Sequence, residues 1–86
     1  MNDSTKQWCV YIVRCADDTL YTGITNDLEK RITTHNAGTG AKYTKSKRPV
    51  SLAYCEPAID RSAASKREYQ LKQLSRNGKL ALIKRA

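Results

Sequence analysis

Two runs near the start of the chain leave it little choice of opening structure. Trp8-Cys9-Val10-Tyr11-Ile12-Val13-Arg14-Cys15 and Leu20-Tyr21-Thr22-Gly23-Ile24-Thr25 are separated only by Ala16-Asp17-Asp18-Thr19. Both runs are rich in β-branched and aromatic residues and the connection is polar, so they read as two antiparallel strands of a hairpin. Alternation puts Cys9, Tyr11, Val13 and Cys15 on one face of the first strand and Trp8, Val10, Ile12 and Arg14 on the other. Both faces are largely apolar, which predicts a central strand covered on both sides. In the second strand Tyr21, Gly23 and Thr25 share a face. Whether Tyr11 and Tyr21 emerge together depends on register, which is open by one residue. Gly23 has a meaning in either register, because a glycine inside a strand costs stability and marks the close approach of a ligand or another backbone.

The following segment predicts a helix from about Asp27 to Asn36, with Asn26 as N-cap, Glu29 completing a capping box and Gly38 as the stop. One face of it holds Leu28, Arg31, Ile32 and His35. Leu28 and Ile32 are ordinary core residues, whereas an arginine and the chain's single histidine, one turn apart beside them, are not. Residues 37–49 predict a loop with two glycines, the cations Lys42, Lys45, Lys47 and Arg48, and Tyr43. Flexible backbone, cations and an aromatic suit a loop that grips a phosphate backbone. A third strand is expected over Val50–Glu56, ending at Pro57. A second helix then runs from near Asp60 or Ser62 to about Ser75, with Ala64, Leu71 and Leu74 on its apolar stripe. Glu68 occupies the remaining position of that stripe, and a carboxylate there needs a partner, either a cationic side chain such as Arg31 or a divalent ion. After Asn77-Gly78 a short last helix brings Leu80, Leu82 and Ile83 to the core. The expectation is a single α+β domain over residues 1–86, core about 8–83, with a three-stranded antiparallel sheet flanked by helices in the order β-β-α-β-α-α.

Charge narrows the partners. The net charge is +8, and it is uneven: residues 1–41 carry four basic and five acidic side chains, residues 42–86 twelve and three. That asymmetry favours a polyanionic partner over a merely solvated surface. No apolar run is long enough for a membrane span and the first residues lack a signal-peptide core, so a cytoplasmic protein is expected. Cys9, Cys15 and Cys55 are an odd set without close pairing. A zinc site built from them and His35 fits no usual ligand spacing, so they read as buried apolar thiols.

Cleaving a phosphodiester needs an activated water, neutralisation of charge on the pentavalent phosphate and stabilisation of the leaving oxygen. Tyrosine can hold and deprotonate water if cations depress its pKa. Arginine offers a planar fork to phosphate oxygens, and a carboxylate can hold one Mg²⁺ or Mn²⁺. Tyr11, Tyr21, Arg31, His35 and Glu68 supply these types.

The same residues, in the same order, carry a family resemblance. Cys9-Val10-Tyr11, Tyr21-Thr22-Gly23, Leu28, Arg31, His35-Asn36-Ala37-Gly38 and Glu68 resemble the pattern of GIY-YIG endonuclease domains over roughly Trp8 to Ile83. The chain is similar in particular to short stand-alone bacterial members grouped as an uncharacterised family (UPF0213). Cys9 stands where the family name has glycine and Thr22 where it has isoleucine; Asn77 is too loose a match to take over the role of a late family asparagine. The resemblance implies a metal-dependent endonuclease, structure-selective or weakly specific, acting on DNA more than RNA, in repair or processing. It implies that Tyr11 and Tyr21 border the site, one serving the water and the other the phosphate. Arg31 would stabilise the phosphate, His35 would assist positioning or proton transfer, and Glu68 would ligate the single divalent ion. Gly23, Lys42, Tyr43, Lys45, Lys47, Arg48 and Lys72 complete the expected nucleic-acid-binding set, and a protein partner could supply targeting. The alternatives are a binding module with the fold but little or no catalysis, and a small basic assembly protein.

Overall fold

The computed structural model describes residues 7–85; the polar opening segment and the last residue lie outside the described residues. The elements are β1 (Cys9–Arg14), β2 (Leu20–Thr25), α1 (Leu28–Ala37), α2 (Lys42–Lys45), β3 (Ser51–Pro57), α3 (Arg61–Lys72) and α4 (Arg76–Arg85). Apart from α2, a single helical turn inside the expected loop, the order is the one the sequence predicts. The sheet order is β2-β1-β3, with both pairings antiparallel. β1 is therefore central, as its two apolar faces require. Among the described residues no helix is long and apolar enough to cross a membrane.

The hairpin closes through its aspartates. Asp17 accepts hydrogen bonds from the Thr19 amide (3.2 Å) and hydroxyl (2.6 Å), and Asp18 sits in the left-handed region with φ 68°, which an Asp tolerates better than most residues. This turn sets the register that alternation leaves open: Val13 faces Tyr21 and Tyr11 faces Gly23. Both tyrosines consequently emerge on one side of the sheet. On β3 the pairing slips at Ala53, between Ile12↔Tyr54 and Val13↔Leu52, as a one-residue bulge.

Each face of the sheet buries its own cluster. Val10 and Ile12 meet Ala64 and Leu71 of α3, with Leu82 and Ile83 of α4 against them. Tyr11, Val13, Cys15 and Val50 form the opposite cluster, covered by Leu28 and Ile32 of α1. The Asn36 side chain ties the end of α1 to the sheet, since its amide donates to the Val50 carbonyl (3.0 Å) and its oxygen accepts from the Val50 amide (2.7 Å).

Several boundaries depart from the sequence reading. The N-cap of α1 is Asp27, not Asn26: its carboxylate accepts from the Lys30 amide (3.3 Å), while the Thr25 hydroxyl holds the Asp27 amide (3.1 Å). Two adjacent residues with equal capping ability left that choice to the strand's exit. Gly38 closes the helix in the left-handed conformation, φ 83°. Helix α3, capped by Asp60 on the Ala63 amide (2.8 Å), stops at Lys72. Leu74 thus falls in the connection and is 39% exposed rather than part of the stripe. Asn77 and Gly78 do not break the chain but lie inside α4, because Ser75 caps that helix: its hydroxyl accepts from the Gly78 amide (3.1 Å) and its carbonyl from the Lys79 amide (3.0 Å). Of the three cysteines only Cys15 is buried; Cys55 is exposed on the edge strand β3, where no further strand shields it.

Candidate active site

The register places Tyr11 opposite Gly23, and the two are in direct contact. A Cβ built on Gly23 would sit 2.5 Å from the Tyr11 hydroxyl oxygen and 2.7 Å from the ring carbon that bears it. The missing side chain is thus the slot in which the phenol lies. Tyr11 is completely buried, and its hydroxyl meets two groups from α1, His35 Nε2 at 2.9 Å and Arg31 Nε at 3.3 Å.

The direction of each hydrogen bond follows from the far end. The Thr44 hydroxyl of α2 lies 3.0 Å from the Ala41 carbonyl, which can only accept, so it gives its one proton there. It must therefore accept from His35 Nδ1–H at 2.8 Å. Burial, then the Arg31 charge, lower the His35 pKa below its ordinary value, so the ring is neutral and Nε2 carries a free lone pair. Tyr11 O–H donates to that lone pair, and Arg31 Nε–H donates to the phenol oxygen. The result is one oriented chain from Arg31 through Tyr11 and His35 to Thr44. Burial pushes the Tyr11 pKa up and the charges of Tyr21 and Glu68 add to this, while the Arg31 hydrogen bond and charge pull it back. The phenol next to Arg31 raises the guanidinium pKa further, so its charge is permanent.

Tyr21 is half-buried beside this chain. Its ring meets the His35 imidazole edge-on at 5.6 Å between centroids, and its hydroxyl is within electrostatic reach of Arg31. Tyr43 stacks on it at 5.7 Å with a 23° interplanar angle, and Lys47 Nζ lies 5.1 Å from the Tyr43 centroid. Glu68 arrives from the other layer: α3 packs along β2, and from there its charge acts on Tyr11. Its side chain is 24% exposed and pairs with Lys72 at 3.3 Å. Four of the five expected catalytic residues, Tyr11, Tyr21, Arg31 and His35, thus fall together, with Tyr11 and His35 sealed inside and Tyr21 and Arg31 partly covered, while the partly covered Glu68 is linked to them through its charge.

The expected nucleic-acid-binding residues are less uniform. Lys42 and Lys45 are exposed on α2. Lys47 is engaged at the hairpin tip with Asp17 (2.5 Å), which holds that carboxyl down to about 2. Arg48 donates Nε–H to the Lys45 carbonyl (2.9 Å) and lies against Gly38, so part of its fork is spent on the loop. Lys72 faces Glu68 rather than standing free.

Two supporting residues escaped the sequence reading. Thr44 orients His35 from a turn that composition marks only as loop. Gly40 lets that loop reach the histidine, since a Cβ there would lie 2.6 Å from His35 Nδ1. A loop of small polar residues gives no period from which either role could be read.

Among the described residues no group of three or more His, Cys, Asp or Glu converges to hold a metal. A half-buried carboxylate whose nearest partner is an exposed lysine suits a different kind of site. It fits a Mg²⁺ or Mn²⁺ held by one carboxylate, with water and substrate oxygens filling the remaining positions.

Residues 7–81 match the GIY-YIG catalytic domain. The UPF0213 protein DP2720 of Desulfotalea psychrophila is 60% identical over 78 residues, covering 90% of this chain and 71% of that one. The UPF0213 protein SH2523 of Staphylococcus haemolyticus is 57% identical over 74 residues, 86% and 90% of the two chains. Among solved structures, the protein EF2693 of E. faecalis superposes with a TM-score of 0.61 at 37% identity, covering 98% of this chain and 88% of that one. The UPF0213 protein BH0048 of Bacillus halodurans gives 0.58 at 38% identity, with 91% and 83% covered. The chain therefore belongs to the GIY-YIG catalytic domain family, among its UPF0213 members.

Proposed function

We propose that this protein is an endonuclease that hydrolyses phosphodiester bonds of nucleic acid, DNA more than RNA, with one divalent ion at Glu68. Membership in a nuclease domain family supports this reaction class. The observation that carries the reading is the gathering of Arg31 and Tyr21 around the Tyr11–His35 chain, with the Glu68 charge acting on Tyr11 from α3. A structural role for Arg31 and Glu68 would be met by pairing them with each other, yet Glu68 pairs with Lys72 and Arg31 with a phenol.

Arg31 spends Nε–H on Tyr11, which leaves the two amino groups of the fork to take phosphate oxygens. Charge that develops on the phosphate then sits against a permanent cation in a partly dry site, where it is stabilised more than in water. Tyr21, with its hydroxyl beside Arg31, positions the phosphate or the attacking water. With the Tyr11 pKa raised and the His35 pKa lowered, the proton stays on the phenol, and the oriented chain serves to fix the Arg31 guanidinium through the Tyr11 oxygen. The divalent ion at Glu68 would neutralise phosphate charge and lower the pKa of a bound water. Cations on α2 draw the polyanion towards the site.

A second reading, a binding module without turnover, is favoured by one observation: Tyr11 is completely buried and as folded touches neither water nor substrate. Cleavage assays on plasmid, branched, single-stranded and duplex substrates, with Mg²⁺, Mn²⁺ or chelator, separate the two. Metal-dependent cleavage abolished in folded Arg31→Ala and Glu68→Ala supports the nuclease. Salt-sensitive binding without cleavage, unchanged by Glu68→Ala, refutes it in favour of the module.

A further inference from the structure

We propose that the cavity between the hairpin tip, Tyr43 and the first turn of α4 is a second binding subsite, one that takes an unpaired nucleotide flanking the linkage to be cut. The proposal rests on the nuclease reading and adds to it a substrate class, nucleic acid that is single-stranded beside the cut. The cavity, about 140 Å³, is bounded by Thr19, Leu20, Tyr43, Arg76 and Lys79.

Its walls differ in chemistry. Leu20 and the Tyr43 ring are apolar, and Tyr43 remains 43% exposed although it stacks on Tyr21. A base finds there the aromatic and aliphatic contacts that bind unpaired nucleotides without regard to sequence. Arg76 is fixed: it donates to the Asp18 carbonyl (2.7 Å) and carboxylate (3.0 Å), which ties α4 to the hairpin and holds the cavity's shape. Lys79 is the group without an explanation. Among the described residues it is the one lysine that is half-buried and makes no ion pair. Lys47, the other half-buried lysine, is satisfied by Asp17. A lysine covers its stem and keeps its ammonium accessible, and a phosphate attached to the stacked base is the anion that this ammonium, without a protein partner among the described residues, can take at the cavity wall.

The position relative to the site supports the assignment. Tyr21 touches both His35 and Tyr43, so one ring-to-ring step of 5.7 Å leads from the candidate catalytic chain to the wall of this cavity. A base held in a duplex is already stacked and paired, and cannot enter a cavity beside Tyr43 without leaving its helix.

The test is fluorescence anisotropy, in chelator and across a salt series, of the full chain with a labelled single-stranded oligonucleotide and the same sequence as a blunt duplex. Lys79→Ala, Lys79→Arg, Tyr43→Ala and, as control, Lys66→Ala on the exposed side of α3 are compared after folding is checked by circular dichroism. Tyr43→Ala is expected to weaken single-strand binding about tenfold or more, the order of one lost stacking contact. Lys79→Ala is expected to lower the magnitude of its salt slope by about 0.7, one phosphate contact, with Lys79→Arg restoring it and duplex binding unchanged in both Lys79 variants. Wild-type single-strand binding unaltered by Lys79→Ala and Tyr43→Ala overturns the subsite and leaves the nuclease reading standing. Equal losses on single strand and duplex also overturn it. Absence of any nucleic-acid binding or cleavage by the wild-type chain overturns both.

Discussion

Replacing Gly23 by alanine is the sharpest probe of how the site is built. The added methyl would lie 2.5 Å from the Tyr11 oxygen and 2.7 Å from its ring carbon, well inside contact distance, so something must move. The phenol has nowhere to go: it is fully buried, with His35 and Arg31 against its hydroxyl. Overpacking of this kind costs about 1–3 kcal/mol, and displacing the hydroxyl forfeits two hydrogen bonds at about 1 kcal/mol each. Removing a glycine from a strand returns about 0.5–1 kcal/mol. The net expectation is a loss of about 2–4 kcal/mol, a large part of the stability of so short a chain. In urea denaturation, with a slope of about 1 kcal/mol per molar, the midpoint should fall by about 2 M or more. A double-mutant cycle isolates the cause. In a Tyr11→Ala background the clash is gone, and Gly23→Ala should become neutral or slightly stabilising. An equal loss in both backgrounds would refute the argument, because the methyl would then be meeting something other than the phenol.

Thr22 Oγ1 is the one buried side-chain polar atom without a hydrogen-bond partner among the described residues; Thr22→Val should therefore raise stability by about 1 kcal/mol, and a fall in the urea midpoint would show that the hydroxyl is satisfied. His35 is held neutral, its folded pKa below the ordinary 6.5. Its share of stability is therefore complete above about pH 6.5, declines as the pH falls towards the folded value and levels off beneath it. Urea midpoints measured from pH 8 to pH 5 should show that decline, and a His35→Gln variant should lose it; the same slope in both would refute the assignment. Ser75→Ala removes the cap of α4 and should cost about 1 kcal/mol, with earlier amide exchange in that helix; unchanged exchange would mean the Asn77-Gly78 turn is held by packing instead. Lys72→Ala frees the Glu68 carboxylate and should tighten Mn²⁺ binding measured by paramagnetic resonance, while Glu68→Ala should abolish it; identical Mn²⁺ binding in all three proteins would remove Glu68 as the ligand.

Local chemistry was legible wherever it has a period or a fixed turn signal. Alternation in Trp8–Cys15 and Leu20–Thr25 announced a central strand and its hairpin partner, and the Leu28–Ile32 stripe with Gly38 beyond it announced α1. Capping was legible as a type of residue but not as a position: Asn26 and Asp27 are equally good acceptors, and only the Thr25 hydroxyl on the Asp27 amide decides between them. Asn77-Gly78 looked like a break because turn statistics describe isolated segments, whereas Ser75 and packing against β1 draw the pair into a helix. The residue types for phosphodiester chemistry, and the family pattern Tyr11, Tyr21-x-Gly23, Arg31, His35 and Glu68, were equally plain.

Strands, main helices, the basic half of the chain and the membership of the chemical set are written locally, in the order of the residues. Tertiary structure decided which of those groups meet and in what state. The register that brings both tyrosines to one face comes from the Asp17–Thr19 turn. The neutral tautomer of His35 is imposed by Thr44, nine positions away, and the burial of Tyr11 by Gly23 on the neighbouring strand. The same holds for Lys79, an unremarkable lysine in the chain that becomes a half-buried cation only when α4 docks beside Tyr43. Spacing along a chain encodes the faces of single elements, but a pKa, a tautomer or an unpaired charge is a property of the surroundings, and those exist only once distant elements have packed.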